Sequence, residues 1–167
     1  MMIDADEPPS RRPRFVVDTM LGKLARWLRA MGYDTLDPRE AGDRRLLAVA
    51  SGEERILLTR DRSLALLAGP RSCLIRSERV DAQIAEVARA LVLSPPDTDW
   101  LTRCLGCNSP LEPRSREGVR GLVPARVFSA QNDFRGCPGC GKVYWAGSHA
   151  GRIVARLTRL LWREPRG

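Results

Sequence analysis

Phe15-Val16-Val17-Asp18 is a short apolar run that ends on an aspartate and passes at once into a helical pattern. Ile56-Leu57-Leu58-Thr59-Arg60-Asp61 repeats the arrangement further along the chain. Around these two, residues 14–18, 33–36, 55–59 and 72–76 read as strands, and residues 20–31, 43–52, 62–68 and 80–92 as helices. Leu21, Leu24, Ala25, Leu28 and Met31 share one face of the first helix, and Ile84, Val87, Ala88 and Leu91 one face of the last. Strands alternating with amphipathic helices predict an α/β fold, with a parallel sheet, helices on both faces and right-handed crossovers. All C-terminal strand ends of such a sheet share one edge, and ligands bind in the crevice outside it. Asp18 and Asp61 both fall on that edge.

Several carboxylates in one crevice repel each other unless a cation neutralises them. A hard cation with oxygen ligands, Mg²⁺ or Mn²⁺, is the natural occupant. Asp43 opens the helix between the two strands and can lean over the same edge, and Asp81 at the start of the last helix is a weaker fourth candidate. Each aspartate also has a plain structural reading, because aspartate is a favoured residue at helix N-termini. The combination on one edge is what points to metal-activated water and phosphodiester cleavage. Rival hydrolase chemistries find no support. A haloacid-dehalogenase-type site needs an aspartate where Met20 stands, no glycine-rich phosphate loop or G-x-S-x-G motif is present, and the single histidine, His149, lies outside the sheet.

Composition favours a polyanionic partner. The 167 residues carry 28 Lys and Arg against 20 Asp and Glu, a net charge of +8, which suits nucleic acid. Lys23, Arg26 and Arg29 are spaced along a separate face of the first helix, and Arg60 and Arg62 flank Asp61. Residues 1–13 are polar with three prolines and no apolar signal core, and are expected to form a disordered tail. No run reaches the roughly 18 apolar residues of a membrane helix. A cytoplasmic location is expected, where cysteines serve as metal ligands more often than as disulfides.

The pattern changes at Ser94-Pro95-Pro96-Asp97-Thr98-Asp99, which divides the chain into a sheet domain over 14–93, a linker over 94–100, a cysteine module over 101–149 and a basic C-terminal helix over 150–167. The linker is expected to decouple the two cores. Cys104-x₂-Cys107 and Cys137-x₂-Cys140 have the spacing of a tetrahedral Zn²⁺ site. With four sulfurs and no open position, the zinc is structural. The 29 intervening residues imply an insertion between the two turns. Cys73 lies in an apolar strand and reads as a small core residue. In the C-terminal helix Val154, Leu157 and Leu161 share one face, and Arg152, Arg156, Arg159 and Arg163 another.

Three strings carry a family resemblance. Phe15-Val16-Val17-Asp18-Thr19-Met20-Leu21-Gly22-Lys23-Leu24-Ala25-Arg26-Trp27-Leu28-Arg29 resembles the opening of the Mut-seven-C ribonuclease family, a PIN-like group. Ile56 to Asp61 resembles its second signature, and Cys137-Pro138-Gly139-Cys140-Gly141-Lys142-Val143-Tyr144-Trp145-Ala146-Gly147-Ser148-His149 its zinc-ribbon half. The resemblance implies a PIN-like sheet flanked by helices, a zinc ribbon and a metal-dependent ribonuclease site. It carries the acidic positions onto Asp18, Asp43 and Asp61. Arg44 and Arg45 stand where the family often has further acids.

The resulting expectation is an endoribonuclease, with Asp18, Asp43 and Asp61 holding Mg²⁺ or Mn²⁺. Lys23, Arg26, Arg60, Arg62, Arg152, Arg156 and Arg159 are the candidates for contacting RNA by charge, and Tyr144 and Trp145 for stacking on bases. The substrate is RNA, free or within a ribonucleoprotein such as the ribosome. The main alternative is a module that binds RNA without cleaving it. A PIN-type toxin fits less well, because those are usually a bare domain.

Overall fold

The computed structural model describes residues 12–93 and 99–162. Most of the expected tail and linker, and Arg163, lie outside the described residues. The order of elements follows the sequence pattern: β1 (Phe15–Val17), α1 (Gly22–Ala30), β2 (Thr35–Leu36), α2 (Asp43–Gly52), β3 (Ile56–Thr59), α3 (Arg62–Ala68), β4 (Ser72–Leu74) and α4 (Val80–Ala90). The strands form one parallel sheet in the order β2-β1-β3-β4, with Val17 beside Leu58 and Leu58 beside Cys73.

Alternation along the strands builds a core on each face. Phe15, Val17 and Leu58 pack with Leu24, Leu28, Ile84 and Val87 from α1 and α4. Val16 and Leu57 face the other way, onto Leu46 and Ala50 of α2 and Leu64 of α3. The two-residue period of a strand sends neighbours to opposite faces, and both faces of this sheet are covered by helices, which is why the strands are apolar throughout.

The second half adds a three-stranded antiparallel sheet, β5 (Glu112–Arg114), β6 (Phe134–Gly136) and β7 (Val143–Trp145). The insertion between the cysteine turns is folded. It carries β5 and a short helix, α5 (Ala125–Ala130), over a small core of Val119, Val123 and Phe134. The C-terminal helix, α6, runs from Ser148 to Leu161 and begins earlier than its arginine pattern suggested. Ile153 and Leu157 are its buried residues, whereas Val154 is 37% exposed. The expected apolar face is therefore rotated toward Ile153, because α6 docks against α4 and Trp100 rather than lying on the surface. No helix among the described residues is long and apolar enough to cross a membrane.

The two halves are joined, contrary to the expected decoupling. Arg29, which the sequence spacing groups with Lys23 and Arg26 on one basic face, is 3% exposed. Its guanidinium donates to the carbonyls of Thr35 (2.9 Å), Leu105 (3.2 Å) and Gly106 (2.9 Å), and so holds the first cysteine turn against the sheet. Asn108 adds a second joint. Its side chain accepts from the Thr35 amide (2.9 Å) and donates to Asp34 (2.7 Å). Gly32, at φ +88°, closes α1 where a Cβ would stand 2.5 Å from the Asp99 carbonyl, so only glycine permits that approach.

Candidate active site and metal centre

Asp18 and Asp61 sit at the C-terminal ends of the neighbouring strands β1 and β3, as the sequence predicted. The Thr59 hydroxyl lies between them. It donates to Asp18 Oδ2 at 2.8 Å and accepts from the Asp61 amide at 3.0 Å. Asp18 Oδ1 accepts from the Thr19 hydroxyl (3.0 Å) and the Met20 amide (3.3 Å), which caps the turn leading into α1. Asp61 Oδ1 caps α3 through the amides of Ser63 (2.7 Å) and Leu64 (3.0 Å). Both aspartates are thus caps, and their carboxylates are held in fixed orientations at the sheet edge.

Asp43 lies exposed in the first turn of α2, whose N-terminal capping position is Gly42. Among the described residues the one group of three or more Cys, His, Asp or Glu side chains converging on a point is the four cysteines. Asp43 therefore does not close a three-carboxylate cage with Asp18 and Asp61. Mg²⁺ does not require one, since it is commonly held by one or two carboxylates, with waters and substrate phosphates completing its octahedron. The oxygen donors of Asp18 and Asp61 fit that chemistry. Asp81 is not available to it, because Arg156 binds its Oδ1, with Nε at 2.9 Å.

A carboxylate that the sequence did not single out lies on the same edge. Asp37 follows β2, the neighbour of β1, and its side chain is only 4% exposed. Its Oδ1 is buried with no hydrogen-bond partner, and its Oδ2 lies 3.5 Å from the Arg39 Nε. A buried, incompletely paired carboxylate is costly to the fold. Gly22 leaves room for it, since a Cβ there would be 3.2 Å from Asp37 Oδ2. Asp37 lines a crevice of about 790 Å³ with Thr19, Met20, Lys23, Arg26, Arg39 and Arg79.

The second centre is the cysteine cluster. The four Sγ atoms of Cys104, Cys107, Cys137 and Cys140 lie within 4.8 Å of one another, although their turns are far apart in sequence. The Cys107 amide points at Cys104 Sγ (3.5 Å) and the Cys140 amide at Cys137 Sγ (3.4 Å), as in turns that present thiolates to a metal. Hydrogen bonds from Ser109 are the main cause that draws the Cys107 thiol down to about 6. The donor set, four converging sulfurs supported by amides, fits Zn²⁺. Tyr144 belongs to this centre. Its hydroxyl accepts from the Leu105 amide and lies 3.2 Å from both that nitrogen and Cys104 Sγ. Burial and the contact with Cys104 push the hydroxyl above its usual range.

The basic candidates divide. Lys23, Arg26, Arg62, Arg152 and Arg159 are exposed. Arg60 pairs with Glu78 at 3.4 Å. Arg156 is committed to the fold, bound to Asp81 and stacked 4.7 Å over Trp27, so it ties α6 to α4 and α1. Tyr144 and Trp145 are half-buried, the latter against Phe134 and its neighbours.

The family model for the Mut7-C RNAse domain matches residues 13–157, nearly the whole chain. The chain belongs to the Mut7-C RNAse domain family. No curated protein and no solved structure matches it. The match begins before β1 and ends within α6, so the sheet, the cysteine module and most of the last helix together form the Mut7-C RNAse domain. An RNase domain takes RNA as its substrate. Within it, sequence reasoning missed Asp37, Arg29 and Asn108 as structurally decisive residues. A hint lay in Asp37-Pro38, an acid directly after a strand on the same edge as Asp18.

Proposed function

We propose that this Mut7-C RNAse domain is a metal-dependent endoribonuclease that works at the C-terminal edge of its parallel sheet, with Asp18 and Asp61 as the principal metal-holding acids. The observation that carries the reading is the Thr59 hydroxyl, which fixes Asp18 and the Asp61 backbone side by side on that edge. A bound Mg²⁺ or Mn²⁺ would supply Lewis acidity toward the scissile phosphate and a hydroxide at neutral pH. Thr59 orients Asp18, and Asp43, exposed in the first turn of α2, is the third candidate acid. Lys23 and Arg26 hold the phosphate backbone from α1, with Arg62 beside Asp61. Asp37 adds a buried negative charge under the crevice that favours a cation there. Cys104, Cys107, Cys137 and Cys140 hold a structural Zn²⁺. The enzyme acts in the cytoplasm on RNA, free or within a ribonucleoprotein.

The test is cleavage of a mixed RNA pool by purified protein in Mg²⁺ and in Mn²⁺, with and without chelator, beside the Asp18→Asn variant. Internal cuts that vanish with chelator and with Asp18→Asn are expected. Wild-type cleavage by Asp18→Asn would overturn the assignment. A second reading, an RNA-binding module without turnover, is favoured by the lack of a three-carboxylate cluster among the described residues. It would prevail if the protein bound RNA, cleaved none, and kept its affinity after loss of all three aspartates.

A further inference from the structure

The crevice at Asp37 does not end at the sheet. Arg26 and Arg39 line it, and the same two side chains line a second, larger cleft of about 1110 Å³ between the sheet domain, the zinc ribbon and the start of α6. Small-molecule sites occupy about 300–1,000 Å³. The larger cleft alone exceeds that range, and joined to the crevice it has the extent of a track for a chain rather than a pocket for a metabolite.

The walls of the cleft match one polymer. Its cationic side chains are Arg26, Arg39, Arg126, Arg135 and Lys142, against one carboxylate, Asp133. Arg126, Arg135 and Lys142 are exposed, and none of the three makes an ion pair among the described residues. They come from α5, β6 and the second cysteine turn, so the fold gathers them from separate segments. Between them run half-buried Tyr144 and Trp145 of β7, together with Leu101 and Leu105. Cations that track phosphates, interleaved with aromatic faces, form the surface on which single strands bind, since unpaired bases stack on the rings while the backbone follows the charge. A duplex keeps its bases inside its own stack and would leave those faces uncovered.

We propose that the ribbon–α6 cleft is the binding track for single-stranded RNA, delivering the strand past Arg26 and Arg39 to the carboxylate edge. The inference rests on the ribonuclease reading and adds the form of the substrate and the face that selects it. The zinc site then has a mechanical part. It holds Lys142 and β7 in place, and Arg29 fixes the first cysteine turn to the sheet, so the track and the cleavage edge keep one geometry.

The test is fluorescence polarisation with a labelled 12-nucleotide single-stranded RNA and with the same sequence annealed to its complement, over a range of salt. The wild type is compared with the triple variant Arg126→Glu/Arg135→Glu/Lys142→Glu, with zinc content and melting temperature as folding controls. The single strand should bind the wild type at least about tenfold tighter than the duplex. The variant should lose at least about tenfold in single-strand affinity, and its salt slope should flatten by about 2, because each phosphate neutralised on a single strand contributes about 0.7 to that slope. In wild-type protein, 4-thiouridine in the single strand should photocrosslink to peptides within residues 126–145. This measurement stands even if the variant fails to fold. Equal binding of duplex, an unchanged slope in a folded variant, or crosslinks confined to the sheet domain or to α6 beyond Val154 would overturn the track. If the wild type cleaves RNA while these results hold, the track alone fails. If the wild type neither binds nor cleaves RNA, the ribonuclease reading fails with it.

Discussion

Replacing Asp61 by serine separates the two roles its position allows. Asp61 caps α3 through two amide hydrogen bonds, at 2.7 and 3.0 Å. Loss of such a cap to alanine costs about 1 kcal/mol. In a chain of this size that lowers the melting temperature by about 2–4 °C. Serine caps nearly as well as aspartate, so Asp61→Ser keeps the amides satisfied and loses only the favourable interaction of a negative charge with the helix N-terminus, about 0.5 kcal/mol. Its melting temperature should fall by only about 1–2 °C. The charge that holds a divalent cation is gone, however. Changes one shell further out already cost about 10–100-fold in metal affinity or activity, so cleavage should fall by at least about 100-fold and Mn²⁺ binding, followed by electron paramagnetic resonance, should weaken in parallel. Asp61→Ala serves as the control that loses both cap and charge. A serine variant that cleaves RNA at the wild-type rate would show that Asp61 is a cap and nothing more.

Three further outcomes are expected. Asn108→Gly tolerates the φ of +75° at that position but strands the buried Thr35 amide and removes one of the donors to Asp34, which keeps Arg55, and this should cost about 2 kcal/mol and lower the single melting transition of the whole chain; a separate early transition for the ribbon alone would contradict the joint between the halves. Purified protein should hold one Zn²⁺ per chain by elemental analysis, and Cys137→Ser should lose it; zinc near zero in the wild type, or disulfides by non-reducing mass spectrometry, would refute the centre. Burial pushes the Asp34 carboxyl up, but hydrogen bonds from Arg55 and Asn108 outweigh it and draw the group from 3.8 to about 2; the folded state therefore binds this proton less readily than the unfolded one, and about 2 kcal/mol of stability present above pH 4 should be lost as the pH falls toward 2, a loss that urea titrations should find missing in Asp34→Asn.

The sheet was legible because its information is local. Phe15, Val17 and Val16 alternate within one strand, Leu24 and Leu28 repeat within one helix, and the aspartates follow their strands directly. The four-cysteine cluster was legible for a related reason, since each cysteine pair is a self-contained turn. What escaped depends on partners distant in sequence. Arg29 has the spacing of a basic stripe with Lys23 and Arg26, and only the arrival of Leu105, 76 residues later, turns it inward. Val154 and Ile153 are equally apolar, and the face of α6 that is buried is set by α4 and by the Arg156–Asp81 pair. Asp37 follows a strand of only two residues and precedes a proline, so no strand or helix pattern singles it out.

Capping and catalysis are not competing explanations for the edge aspartates. An ionised carboxylate has about four acceptor sites on its two oxygens. Asp61 uses only Oδ1 for its cap, and its Oδ2 accepts no hydrogen bond from a described residue. Asp18 accepts three, two on Oδ1 and one on Oδ2, and so keeps one acceptor site. At Asp61 the amides that satisfy one oxygen fix the rotamer and leave the other without a bond, which is the preorganisation a functional group needs from its surroundings. A helix that follows each strand of a parallel sheet supplies such amides at the same edge where the crevice opens. An acid placed there has its orientation fixed by the fold. Asp37 is the exception that sharpens the point: it follows β2 with no helix to cap, its Oδ1 is buried and unpartnered, and the local fold leaves that oxygen unsatisfied.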